Sequence, residues 1–153
     1  MKAIIFSDSH KSFAPMMTAM ENEGPVQQII HAGDVHSDVE DLGIMYPKAP
    51  LAFVKGNNDW WLCDVPEDRI FDFYGIRIFL THGHNYGVKY SLLPLIKKGM
   101  DVGANLVIFG HTHKALNETH QGITLFNPGM ATRSYGVLEV LNSDFRVSIK
   151  KIP

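Results

Sequence analysis

The sequence predicts an α/β protein in which two packed β-sheets carry helices on their outer faces. Three observations lead there. Four short, nearly continuous apolar runs, Lys2–Phe6, Val26–Ile30, Leu51–Val54 and Leu106–Phe109, end in Gly, Asp, Asn or His, as inner strands covered on both faces do. A helical pattern separates the first two runs. The second half of the chain pairs apolar segments around turn residues, the mark of antiparallel hairpins. With 153 residues, 45% of them hydrophobic and 20% charged, the chain suits one globular domain over residues 1–153 and is too short for a second of comparable size.

Taken in order, Lys2–Phe6 is the first buried strand. Ser12–Glu23 follows as a helix, with Phe13, Met16, Met17 and Met20 at helical spacing, Pro15 in the first turn and Gly24-Pro25 ending it. The methionine stripe reads as helix packing. Strand, helix and strand over about thirty residues form a βαβ unit. Ile70–Phe73 and Ile76–Leu80 flank Tyr74-Gly75 as a hairpin. Val88–Met100 is the next helix, with Pro94 either kinking it or marking a late start, and Lys97-Lys98 a solvated end. Ala115–Thr119 and Ile123–Phe126 flank Gln121-Gly122, and Tyr135–Leu141 and Phe145–Ile152 flank Asn142-Ser143-Asp144. The first part thus reads as parallel α/β and the rest as antiparallel. Asp59–Asp68 is the most irregular loop.

Composition excludes several classes. Fourteen basic against sixteen acidic residues, a net charge of −2, argues against a generally basic nucleic-acid binder. The single Cys63 permits no internal disulfide and no Cys-rich zinc site. No apolar stretch approaches the roughly 18 residues of a membrane span, so a soluble, cytoplasmic protein is expected. Eight histidines are the surplus to be explained.

Their positions are informative, because each apolar run ends in metal-competent side chains. Asp8 and His10 follow the first, Gly33-Asp34 the second, Gly56-Asn57-Asn58-Asp59 the third, His82-Gly83-His84 the hairpin and Gly110-His111-Thr112-His113 the Leu106–Phe109 run. Carboxyl ends of strands are where α/β sheets place ligands. Asp, His and Asn without Cys suit Mn²⁺, Zn²⁺ or Fe²⁺. Seven donors, Asp8, His10, Asp34, Asn57, His82, His111 and His113, exceed one tetrahedral zinc and suit two ions sharing a carboxylate. Spacing alone therefore points to a dinuclear hydrolase of phosphate esters.

The same motifs in the same order, with Asn127-Pro128-Gly129 after them, resemble the calcineurin-like metallophosphoesterase superfamily, and most closely its small bacterial and archaeal phosphodiesterases. The resemblance covers about residues 2–140 and implies a four-layer α/β/β/α sandwich of two mixed sheets. It implies that Asp8, His10, Asp34 and His113 hold one ion and Asp34, Asn57, His82 and His111 the other, with Asp34 bridging. Two divalent ions per chain are implied, Mn²⁺ first, with Zn²⁺, Fe²⁺ or Ni²⁺ as substitutes. A hydroxide bridging them would attack phosphorus in line. Asp34, Asn57 and His84 would carry catalysis, and Asn58, His84 and Arg133 would contact substrate. Asp59 would orient the Asn57 loop.

One departure matters. Many relatives place His where this chain has Asn58, and a neutral amide is no general acid. A diester, or an ester with a good leaving group, is therefore expected over an alkyl monoester. Other residues read more plainly. His31 supports a ligand or is a satisfied core histidine; His36 is an exposed loop residue; His120 is solvated; Arg133 binds phosphate or pins its loop. Trp60 and Trp61 read as core or interface packing ahead of a wall stacking on an aromatic substrate. The competing functions are a weakly catalytic or non-catalytic metal-binding scaffold, as in the related eukaryotic retromer subunit, and a nuclease. A small phosphate ester, with nucleotide-like compounds among the candidates, is the expected partner in an open site. No membrane and no strong polymer binding are expected, and a homo-oligomer is left open.

Overall fold

The computed structural model describes residues 1–153. Along the chain run β1 (Lys2–Phe6), α1 (Phe13–Glu23), β2 (Gln28–His31), α2 (His36–Met45), β3 (Leu51–Phe53), β4 (Asp68–Phe73), β5 (Ile76–Thr81), α3 (Leu93–Asp101), β6 (Leu106–Ile108), β7 (Leu116–His120), β8 (Ile123–Asn127), β9 (Ser134–Leu141) and β10 (Asp144–Lys151). They form two five-stranded sheets, ordered β10-β9-β1-β2-β3 and β4-β5-β6-β8-β7.

Alternation along each strand explains the layers. Ala3 and Ile5 of β1 face the other sheet and meet Ile78, Leu80, Leu106, Ile108 and Phe126 in the largest core cluster. Ile4 and Phe6, pointing the other way, pack with Met16, Met20 and Leu42 under α1 and α2. On the far side Phe79 and Val107 pack with Leu95 and Ile96 of α3. Both faces of the central strands are covered, giving the α/β/β/α sandwich.

Two features differ from the sequence reading, and one open alternative, at Pro94, is decided. Residues 36–45 form a helix instead of a loop, burying Asp38, Val39 and Leu42; their apolar periodicity is too sparse to stand out. Pro94 marks a late start, because α3 begins at Leu93, where a missing N–H costs nothing. Parallel and antiparallel pairing are not segregated: β9 joins β1 antiparallel in the first sheet, while β5, β6 and β8 run parallel in the second. The hairpins are as expected. Tyr74-Gly75 and Gln121-Gly122 take positive φ at both positions, the twist that suits two-residue turns.

This topology places the site. β1, β2 and β3 are parallel, so the segments that follow them emerge together. The second sheet is tied to that edge by the bond from His82 Nδ1 to the Ala32 carbonyl, 2.7 Å.

Candidate metal centre

Asp8 leaves β1 fully buried. Its Oδ2 accepts the Ser7 hydroxyl at 2.5 Å and the His111 N–H at 3.0 Å. Its Oδ1 is enclosed and has no hydrogen-bond donor. Facing it are Nε2 of His113 at 3.2 Å, of His10 at 3.8 Å and of His82 at 3.9 Å. A second focus lies at Asn57, whose Oδ1 is 3.0 Å from His82 Nε2 and 3.1 Å from His111 Nδ1. Asp34 Oδ2 stands 3.5 Å from His82 Nε2. A carbonyl only accepts, so the bond to Ala32 fixes the proton on His82 Nδ1 and leaves the Nε2 lone pair for the cluster.

The segments carrying these groups are held by backbone bonds and strain. Asp59, almost fully buried, accepts N–H groups of Asp34 (3.1 Å), Gly56 (2.9 Å) and His36 (3.0 Å), tying the Asp34 and Asn57 loops together. Asp8, His10, Asp34, His111 and His113 all have φ between 47° and 68°, a region costing an L-residue about 1 kcal/mol or more. Two glycines permit the close approach. A Cβ on Gly56 would collide with Asp34 Oδ1, and one on Gly110 with Ser7 Oγ.

One donor histidine, His111, and its neighbour His84 are electrostatically prepared. Burial, then the neighbouring His82 and Lys89, lowers His111 to a pKa of about 4. Burial and His82 also push His84 below its ordinary value. Neutral imidazole is the form that binds metal. Donors bound to one ion at about 2.1 Å lie about 3.0 Å apart in an octahedron and about 3.4 Å apart in a tetrahedron. The separations around Asp8 Oδ1 and Asn57 Oδ1 bracket those edges, and the donorless carboxylate oxygen among imidazole nitrogens fits a divalent cation. Asp8 groups with His10 and His113 on one side and with Asp34 and His82 on the other.

Comparison with known proteins agrees with this geometry. The family model of the calcineurin-like phosphoesterase superfamily domain matches residues 1–142. The chain belongs to that superfamily. It is 33% identical over 151 residues to the "Probable metallophosphoesterase YsnB" of Bacillus subtilis, covering 93% of this chain and 86% of the relative. It is 30% identical to a phosphodiesterase of Methanocaldococcus jannaschii, covering 95% and 97%. Among solved structures, a predicted phosphoesterase of Streptococcus pneumoniae superposes with a TM-score of 0.81 at 23% identity, over 98% of this chain and 88% of that one. A single mutant of Vps29 from Entamoeba histolytica does so with 0.79 at 20%, over all of both chains. These last two likenesses concern the fold.

Within this calcineurin-like domain, the seven expected donors lie at one edge. Asp8, Asp34 and His82 are its buried floor; His10 and His113, with side chains 33% and 42% exposed, form its outer wall. Asn58 is exposed at this edge, and its N–H and Nδ2 donate to Asp34 Oδ1 and Oδ2 at 3.0 and 2.7 Å. His84 sits beside the cluster, its ring 5.5 Å from that of His82, its Nδ1 enclosed and unpartnered. Arg133 is exposed in the turn before β9, and its guanidinium makes no hydrogen bond or ion pair.

Other expectations are settled individually. His31 is a satisfied core histidine that also supports the site. Its Nδ1 accepts the Gly33 N–H at 3.1 Å, and its Nε2 lies 3.2 Å from Ser9 Oγ; burial, then His82, lowers its pKa to about 3. His36 opens α2 half-buried, 3.6 Å from Glu40. Trp60 and Trp61 are not core: they are 77% and 55% exposed and pack edge to face on each other. His120 pairs with Glu118 at 2.9 Å. Ser7 and Asn127 were missed as organisers. Asn127 Nδ2 donates to the Gly110 carbonyl at 3.0 Å and to Thr112 Oγ1 at 3.1 Å; a polar residue ending a buried strand is the signal that marks both.

Proposed function

We propose that the protein is a dinuclear metal-dependent phosphoesterase acting by preference on diesters. One observation carries this reading: Asp8 Oδ1, buried without a donor, faces the nitrogens of three histidines. Asp8, His10, Asp34 and His113 would hold one cation, and Asp34, Asn57, His82 and His111 the other, with Mn²⁺ the proposed ion. Bound there, the pair would supply Lewis acidity that acidifies water and neutralises phosphoryl oxygens. The protein's part is orientation. Asp59 and Asn58 hold Asp34, Ser7 holds Asp8, and Ala32 fixes the His82 tautomer. His84 is proposed to contact the phosphoryl group, and Arg133 to reach substrate from its exposed turn.

With an amide at Asn58 there is no acid at that position to protonate an alkoxide, which supports a diester or an activated leaving group. A small, nucleotide-like ester met in the cytoplasm is the proposed substrate. The test is turnover of bis(p-nitrophenyl) phosphate and p-nitrophenyl phosphate after metal removal, then with Mn²⁺, Zn²⁺, Ni²⁺ or Mg²⁺ restored. Turnover should require metal, favour the diester and vanish in Asp34→Asn. Metal-independent turnover, or an active Asp34→Asn protein, overturns the mechanism. The full-length likeness to Vps29 supports a second reading, a metal-binding scaffold, which metal uptake without turnover of any ester would select.

A further inference from the structure

Beside the metal centre lies a groove of about 550 Å³ between the segment ahead of α3 and the β6–β7 connection. Leu92, Phe109 and Leu116 give it apolar walls, and Lys89 and Lys114 share its lining. So does Thr112, which stands between His111 and His113 in the chain, so the groove reaches the segment that carries two of the donors. Lys89 is near enough to His111 to add to burial and His82 in holding that imidazole neutral.

Both lysines are exposed, and neither enters an ion pair. The other flank of the site is the reverse. Glu67 and Asp68 lie close enough to His84 to act on its charge, and they are bound to Asn85 at 2.8 Å and Tyr86 at 2.5 Å. A substrate arm with negative charge is repelled by the acidic flank and drawn to the basic one. Two free ammonium groups match a phosphate monoester of charge about −2 better than a single carboxylate. The apolar walls suit the ring system that would carry it.

We propose that this groove binds one arm of the substrate, and that the arm is nucleotide-like and bears a further phosphate held by Lys89 and Lys114. The phosphoesterase reading supplies the position of the reacting phosphorus, while binding in the groove does not depend on turnover.

Two chromogenic diesters separate the possibilities: thymidine 5′-(p-nitrophenyl phosphate) and the same compound with a 3′-phosphate. In the Mn²⁺-loaded protein the added phosphate should raise kcat/KM about tenfold, chiefly through KM. The double variant Lys89→Gln/Lys114→Gln should bring the ratio of the two values near one. A ratio near one in the unsubstituted protein, or a ratio the variant leaves alone, overturns the groove while leaving the phosphoesterase reading intact. In parallel, calorimetry would compare thymidine 3′,5′-bisphosphate with thymidine 5′-monophosphate, with and without Mn²⁺. The bisphosphate should bind about tenfold more tightly, and the double variant should lose that margin. If neither diester is hydrolysed yet the lysine-dependent margin persists, the phosphoesterase reading fails and the groove stands. Where neither diester is hydrolysed, absence of the margin from the calorimetry ends the groove.

Discussion

Asp8 at the end of β1 and Glu23 at the end of α1 are both enclosed carboxylates, with side chains 0% and 6% exposed, yet their surroundings are opposite. Glu23 Oε1 accepts Lys150 at 2.7 Å and the Tyr135 hydroxyl at 2.9 Å, and its Oε2 lies 3.5 Å from Lys2. Burial alone would raise its pKa; the Lys150 and Tyr135 hydrogen bonds and the two lysine charges more than reverse that, so it lies below the ordinary value. Asp8 has one oxygen satisfied by Ser7 and His111 and one left bare among imidazoles, with no Lys or Arg paired to it. An uncompensated buried oxygen destabilises the fold, and strained backbone around Asp8 and Asp34 adds to that. Glu23 is organised to hold α1 on its sheet. Asp8 is organised to be completed by something that binds.

Four measurements can break or sharpen this contrast. The largest effect is expected at the bare carboxylate. Asp8→Asn should cut metal-dependent turnover at least about a thousandfold while leaving the metal-free protein equally or more stable, as substitutions at strained functional sites do. Mn²⁺ should raise the melting temperature of the unsubstituted protein and not that of the variant. A melting temperature lowered by several degrees in metal-free Asp8→Asn would assign Asp8 a structural role like that of Glu23.

Acid response comes next. His31 is neutral when folded, with a pKa of about 3 against 6.5 ordinarily. The unfolded chain therefore binds the extra proton between those values, and stability falls as pH drops through that window. Chemical unfolding of metal-free protein from pH 7 to 4 should show this loss, and His31→Gln should reduce it, with His111 and His84, also lowered, keeping the remainder. Glu23, with a lowered pKa, contributes stability that is present above its ordinary 4.5 and lost only as pH falls further, through the lowered value.

A smaller change is expected at Asp59, which supports ligand loops without being a proposed ligand. Asp59→Asn should weaken Mn²⁺ binding about 10- to 100-fold, measured by titration. Wild-type affinity would show that the Asp34 and Asn57 loops hold themselves. The smallest effect is at the satisfied carboxylate. Glu23→Gln should lower unfolding free energy by about 1–2 kcal/mol, read from urea denaturation, with turnover within about twofold of the parent.

Local pattern revealed most elements because burial on both faces writes continuous apolar runs, and Gly-containing turns require positive φ that few residues accept. The donors of the candidate site were legible for a related reason: Asp, His and Asn beside Gly at strand ends are poor choices for a core and good ones for a ligand. Helix α2 was not legible, since only Val39 and Leu42 give it a buried apolar stripe. The exposure of Trp60 and Trp61 was not legible either, because a Trp pair in a loop carries the same letters whether buried or bare.

By itself the sequence determined the βαβ opening, the hairpins, the metal-competent donors and the absence of a general acid at Asn58, all matters of local residue chemistry. Tertiary structure alone decided that β9 lies antiparallel to β1, that Asn58 grips Asp34, that Asp59 joins two loops and that Asp8 keeps one bare oxygen. Each of these depends on which separated segments meet, and local propensity carries no record of a contact made across 24 residues, as at Asn58, or 103, as between Asp8 and His111.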